Sequence, residues 1–147
     1  MITRLAIAPV WSTDQDRSLK FYTEKLGFEK VSDLTMGEGG MRWVTVCVPG
    51  KPETQLTLMD VHSGGGLDPD SAEALTALVD KGVLGAMVLG TDDCRATYEE
   101  LRKRGVEFVQ EPVERPYGTE AILRDDSGNW FSLTEAHVDL DTEQDWA

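Results

Sequence analysis

Two periods of apolar spacing run along the 147-residue chain and recur in the same order. Residues 2–10 (ITRLAIAPV) are mostly apolar and predict a first strand, ended by the turn-formers Ser12, Thr13 and Asp14. From there the spacing becomes helical: Leu19, Tyr22 and Leu26 share a face, Asp14 is placed to cap the helix, and Gly27 stops it. Strands follow at 28–31, 42–48 and 54–61, separated by a glycine-rich loop at 36–40 and a turn at 49–53. That loop does not run from a strand into a helix, so it is not a phosphate-binding loop. Residues 62–68 (HSGGGLD) read as a linker and 69–81 as a short helix, with Asp70 or Ser71 as cap and Gly82 as stop. A strand at 84–89 leads into TDDCRATYEELRKRGVEF, which repeats the capped helix, the glycine (Gly105) and the short strand. The stretch 117–135 (YGTEAILRDDSGNWFSLTE) then gives two extended runs around a turn. Gly128 and Asn129 suit the positive φ of a tight hairpin there. In the second run Trp130, Ser132 and Thr134 point one way, Phe131 and Leu133 the other.

The repeat extends to side-chain types. Gln55-Leu56-Thr57-Leu58-Met59-Asp60-Val61-His62 lines up with Trp130-Phe131-Ser132-Leu133-Thr134-Glu135-Ala136-His137: hydroxyl on hydroxyl, leucine on leucine, acid on acid, histidine on histidine. The chain therefore divides into a βαβββ module over 1–61, a linker and short helix over 62–82, a second βαβββ module over 83–137, and an acidic tail over 138–147 that reads as a loose or docked end. The fold class is α+β, with paired modules forming curved mixed sheets around a cavity.

Composition narrows the functions. A formal net charge of −13 argues against nucleic acid and anionic membrane surfaces, which require Lys/Arg patches. It fits a solvated acidic surface and leaves room for a cationic ligand. No apolar run approaches the roughly 20 residues of a membrane span, and the first 16 residues lack a signal-peptide cleavage pattern. Cys47 and Cys94 fall in separate elements and suggest no disulfide framework. The expectation is a reduced, cytoplasmic protein.

DQDRSLKFYTEKLGFEK, the TDDCRATYEELRKRGVEF unit and YGTEAILRDDSGNWFSL resemble the vicinal oxygen chelate superfamily, over nearly the whole chain apart from 62–82 and the tail. That group includes glyoxalase I, extradiol dioxygenases, fosfomycin-resistance enzymes and bleomycin-resistance proteins, so the resemblance implies a fold more than a function. It also implies a homodimer, because members usually pair modules across a shared sheet. Family metalloenzymes carry ligands on four strands, and the positions aligned here are Ile7, Thr57, Ala86 and Ser132. An isoleucine, an alanine and two hydroxyls do not make a divalent-metal site. A one-residue slip to Ala6, Ala8, Gly85 or Met87 does not rescue it. No metal and no other cofactor is expected. The repeated acid-x-His pairs, Asp60/His62 and Glu135/His137, are ligands by type, but alternation puts them on the faces of Leu58 and Leu133, away from the cavity. Solvated strand-end residues are the preferred reading of them.

With Thr57 and Ser132 facing the cavity, alternation adds Gln55, Met59, Trp130 and Thr134. Leu5, Ile7 and Pro9 join from the first strand, Ala86 and Val88 from the fifth, and Trp43, Thr45 and Cys47 from the third, whose core stripe is Val44, Val46 and Val48. The expected ligand-binding set is Ile7, Trp43, Cys47, Thr57, Met59, Ala86, Trp130 and Ser132, an apolar and aromatic lining with a few neutral polar groups. The two tryptophans equally suit plain filling of a core. No catalytic residue emerges; Glu120, Arg124 and Tyr117 lie on or beside a strand whose facing the pattern leaves open. Three functions stay open: a metal-independent binder of the bleomycin-resistance type that sequesters a drug or metabolite, an enzyme with a displaced metal site or a loop acid such as Glu120 as base, and a module that mainly dimerises.

Overall fold

The computed structural model describes residues 1–139, 141 and 143, so most of the tail read at 138–147 lies outside the described residues. Two copies of one motif fill the chain. The first has β1 (Ile7–Ser12), α1 (Gln15–Lys20), β2 (Glu29–Thr35), β3 (Arg42–Cys47) and β4 (Gln55–Asp60). After α2 (Pro69–Asp80) the second has β5 (Gly85–Gly90), α3 (Cys94–Lys103), β6 (Glu107–Arg115), β7 (Gly118–Arg124) and β8 (Trp130–Ala136). Strand orders β1-β4-β3-β2 and β5-β8-β7-β6 give two equivalent four-stranded sheets. β1/β4 and β5/β8 pair in parallel and the remaining pairs are antiparallel, so both sheets are mixed.

Strand alternation builds one core from both modules. Val10, Val44, Val46, Leu56 and Leu58 from the first sheet pack in the same cluster as Ala121, Leu123, Phe131 and Leu133 from the second. Phe21, Tyr22, Cys94, Tyr98 and Leu101 enter it from the helical segments. After α1 the chain winds through a π turn, Phe21–Lys25, in which Leu26 N–H reaches back five residues to the Phe21 carbonyl. The wider turn seats two consecutive aromatics, Phe21 and Tyr22, in the core. Because both sheets spend one face on this shared core, the faces holding Thr57 and Ser132 point away from it, and neither sheet closes into a barrel.

The 117–135 hairpin staples the modules together. Asp125 is buried at the turn, and its Oδ1 accepts the backbone N–H groups of Ser127, Gly128 and Asn129. Tyr22 of the first module donates its hydroxyl to Asp125 Oδ2 at 2.7 Å, and Asn129 Nδ2 donates to the Trp11 carbonyl at 2.7 Å. Ser18 and Arg17 both bond Asp126. Of the two turn residues Gly128 takes a positive φ, of 117°, whereas Asn129 does not and spends its side chain on the seam.

Several boundaries differ from the sequence expectation, each for a local reason. β1 starts at Ile7 rather than residue 2, since its partner β4 begins at Gln55 and leaves residues 1–6 without a ladder. Leu5 is thus exposed and not on a strand. Asp68, not Asp70 or Ser71, caps α2: it accepts the Ser71 N–H and hydroxyl, with Pro69 in the first turn. β6 runs nine residues through Pro112, which an edge strand tolerates because its outer N–H side needs no partner. Val48 falls past the end of β3 and is half exposed, so the core stripe ends at Val46.

Candidate functional site

Register fixes which side chains share the open faces. On the first sheet Thr57 pairs with Pro9 in β1 and Thr45 in β3, so Ile7, Pro9 and Trp11, then Gln55, Thr57 and Met59, then Trp43, Thr45 and Cys47 lie on one face. Thr57, Thr45 and Cys47 are buried at its floor, and the Thr45 hydroxyl has no hydrogen-bond partner among the described residues. Met59 and Trp11 lie under the turn Gly64–Gly66; Met59 packs so closely against Gly64 that a Cβ there would overlap it. Cys47 lines a cavity of about 260 Å³ at the seam with β5, beside Phe28, Val48, Met87 and Val88. Burial pushes its thiol pKa up, which favours the unreactive protonated form.

On the second sheet Trp130, Ser132 and Thr134 pair across to Arg124, Ile122 and Glu120. This orients the strand that the sequence left open: Glu120, Ile122 and Arg124 share the face of Ser132. Ser132 Oγ donates to Glu120 Oε2 at 2.8 Å and lies 2.7 Å from Thr134 Oγ1. Arg115 Nε stands 3.7 Å from Glu120, whose side chain is largely buried. Burial and the neighbouring Glu120 carboxylate hold the Tyr117 phenol above its ordinary pKa. A polar strip therefore runs beside a hollow of about 310 Å³ lined by Val109, Ile122, Arg124 and Trp130. The local charge here is mixed, unlike the acidic composition of the whole chain.

The eight expected ligand residues thus divide. Ile7, Trp43, Cys47, Thr57 and Met59 share the face of one sheet, Trp130 and Ser132 that of the other. Ala86 departs from its expected place: β5 bulges between Gly85 and Val88, so Val88 pairs with Ser132 and Ala86 packs against the core. Across the parallel pairs the two hydroxyls aligned with the family's ligand positions meet Pro9 and Val88, which offer no donor atom; the antiparallel side adds the Thr45 hydroxyl next to Thr57 and one carboxylate, Glu120, already bonded to Ser132. These residues do not fit a divalent metal. The acid-x-His pairs are engaged elsewhere. Asp60 accepts the His62 N–H and the Ser63 hydroxyl, while Glu135 accepts the Cys94 N–H at the start of α3. Among the described residues no group of three or more His, Cys, Asp or Glu is arranged to hold an ion.

Ile122 and Val109 were not named from the sequence, and Glu120 and Arg124 only as residues of a strand whose facing stayed open, although one signal oriented three of the four. Counting back from Trp130 across the Asp125–Asn129 turn puts Arg124 opposite Trp130, and period two then carries Ile122 and Glu120 onto the same face. Val109 follows only from the bulge in β6 between Phe108 and Gln110, which no residue type announces.

Two βαβββ modules sharing one core, with hydroxyls at matched inner positions, define a paired-module protein of the glyoxalase type. The chain belongs to the Glyoxalase/Bleomycin resistance protein/Dioxygenase superfamily, whose profile matches residues 3–133. Among solved structures it is similar to UcmS2, at 48% identity over 92% of this chain and 100% of that one, with a TM-score of 0.85. TnmS3, described as an antibiotic binding protein from Streptomyces sp. CB03234, is 29% identical over 92% of this chain and 98% of its own, with a TM-score of 0.71. The uncharacterized protein YurT of Bacillus subtilis is 30% identical over 132 residues, which is 90% of this chain and 98% of YurT.

Proposed function

We propose that this chain is a metal-independent small-molecule binding protein that sequesters an antibiotic or metabolite in the cytoplasm, working as a homodimer. The observation that carries the reading is the chemistry of the open faces. Where relatives of enzymatic type need several metal ligands, Thr57 stands beside Pro9 and Thr45, Ser132 beside Val88 and the single carboxylate of Glu120, and the surfaces around them offer Trp43 and Trp130 for apolar contact. The likeness to TnmS3, an antibiotic binding protein, supports the same direction.

The test is a thermal melt of chelator-stripped protein against two panels. Nickel, zinc, manganese and iron(II) are expected to leave the midpoint unchanged. A cognate antibiotic is expected to raise it saturably, by about 2.7 kcal/mol of stability at one hundred times Kd. Tight stoichiometric metal binding abolished by T57A or S132A would overturn the metal-independent form. A second reading draws on one observation: Glu120 lies on the Ser132 face and is largely buried, where an acid could abstract a proton from a bound substrate. It requires chelator-insensitive turnover of a hemithioacetal, epoxide or catechol that E120Q abolishes.

A further inference from the structure

The corner of the second sheet where β7 meets β8 is built around two glycines. Gly85 has no side chain, and a Cβ there would fall 2.5–2.9 Å from Cζ2, Cε2 and Cη2 of Trp130. The indole therefore lies against the Gly85 backbone and lines the hollow together with Val109 and Ile122; Trp130 remains 36% exposed. Gly82 plays the same part for the opposing residue, since a Cβ there would stand 2.8 Å from Arg124 Cζ. Indole and guanidinium are thus both seated by backbone, side by side across the register Arg124↔Trp130, and both line the same hollow.

The guanidinium is short of acceptors. Its Nε is buried with no hydrogen-bond partner among the described residues, Nη2 meets the Gly82 carbonyl only at 3.5 Å, and Nη1 lies 3.8 Å from Glu107, whose side chain is mostly exposed. An arginine that is positioned but under-bonded, one third exposed beside an apolar wall, is equipped to receive an acceptor in a planar, directional way. We propose that Arg124 is the specificity-determining residue of this hollow: it selects a flat apolar ligand that lies against Trp130 and carries a carbonyl or carboxylate oxygen at its edge. The inference rests on the small-molecule reading above and narrows it. The acidic whole-chain charge favours cations at long range, whereas this corner selects an acceptor on contact.

Three probes of one shape separate the possibilities: 2-naphthoate, 2-acetylnaphthalene and 2-naphthylmethylammonium, titrated calorimetrically into the full-length protein. The two acceptor probes are expected to bind about tenfold more tightly than the ammonium, the scale of one charge-assisted hydrogen bond. Arg124→Gln should bring the three within about twofold of each other, while W130A should weaken all three alike. If the ammonium binds the wild type as well as naphthoate, or if the preference survives in R124Q, the role of Arg124 is overturned and the binding reading stands. The wild-type ranking decides the matter even where a variant does not fold. Absence of heat with all three probes removes the hollow as a ligand site, and the proposal with it.

Discussion

At the scale of single residues, the buried Tyr22–Asp125 pair joins the halves. Asp125 satisfies three backbone N–H groups, the Tyr22 hydroxyl and Asn129 Nδ2 at once, so its loss leaves buried donors with nothing to bond. Y22F should cost about 1.5–3 kcal/mol, the range for a hydrogen bond to a charged group. D125A should cost about 4 kcal/mol or more, because it strands several donors in one step. Urea unfolding of both variants and their double mutant measures this. A Y22F effect that persists undiminished in the D125A background would show that the ring's packing, not the bond, carries it. The residue types at this seam were legible in the sequence, as turn-formers and a helix-face aromatic. Their partnership was not, since Tyr22 and Asp125 are separated by 103 positions.

Among the elements, β2 is the most exposed strand and is held by charge as much as by apolar contact. Arg42 of β3 makes two hydrogen bonds to Asp33 of β2, 2.8 and 2.9 Å long, and a third to Asp16 of α1. The hydrogen-bonded guanidinium lowers the pKa of Asp33 in the folded state. A depressed folded value means the contribution is present above the unfolded pKa of about 3.9 and is lost as pH falls through the folded one. D33N should therefore be less stable than wild type at neutral pH, by under about 1 kcal/mol for so exposed a pair. The difference should shrink as pH falls below the unfolded value, which urea midpoints at pH 7 and pH 3 can compare; an equal gap at both would exclude the ion pair as its source. Element order and type could be read from apolar spacing, and the caps at Asp14 and Asp93 follow ordinary helix-start chemistry. Element ends depended on the partner strand, as at Ile7, or on bulges, as in β5 and β6, and neither leaves a local mark.

At the scale of the whole molecule, one face of each sheet is consumed by the shared core, while the other keeps apolar side chains exposed among the described residues. Ile7 and Leu34 on the first sheet and Val88, Val109 and Trp130 on the second are all at least about one third exposed. A second copy laid against these faces would bury them and convert two open half-sites into enclosed ones. Light scattering is expected to give twice the 16.3 kDa chain mass, with a thermal midpoint that rises with protein concentration. V88D should shift the population toward single chains. A monomer at every concentration would mean that ligand is held on an open face.

The sequence alone determined the duplication, the α+β class, the order of the elements and the side-chain types carried by each strand. These are properties of local period and residue type, present before the chain folds. Tertiary structure decided which faces the two modules share, that Val88 replaces Ala86 opposite Ser132, and that Arg124 and Glu120 join Trp130 and Ser132. The physical reason is that a bulge shifts register by one residue and a shared core chooses between two faces of a sheet. Either event moves every later side chain to the other side without changing a letter of the local pattern.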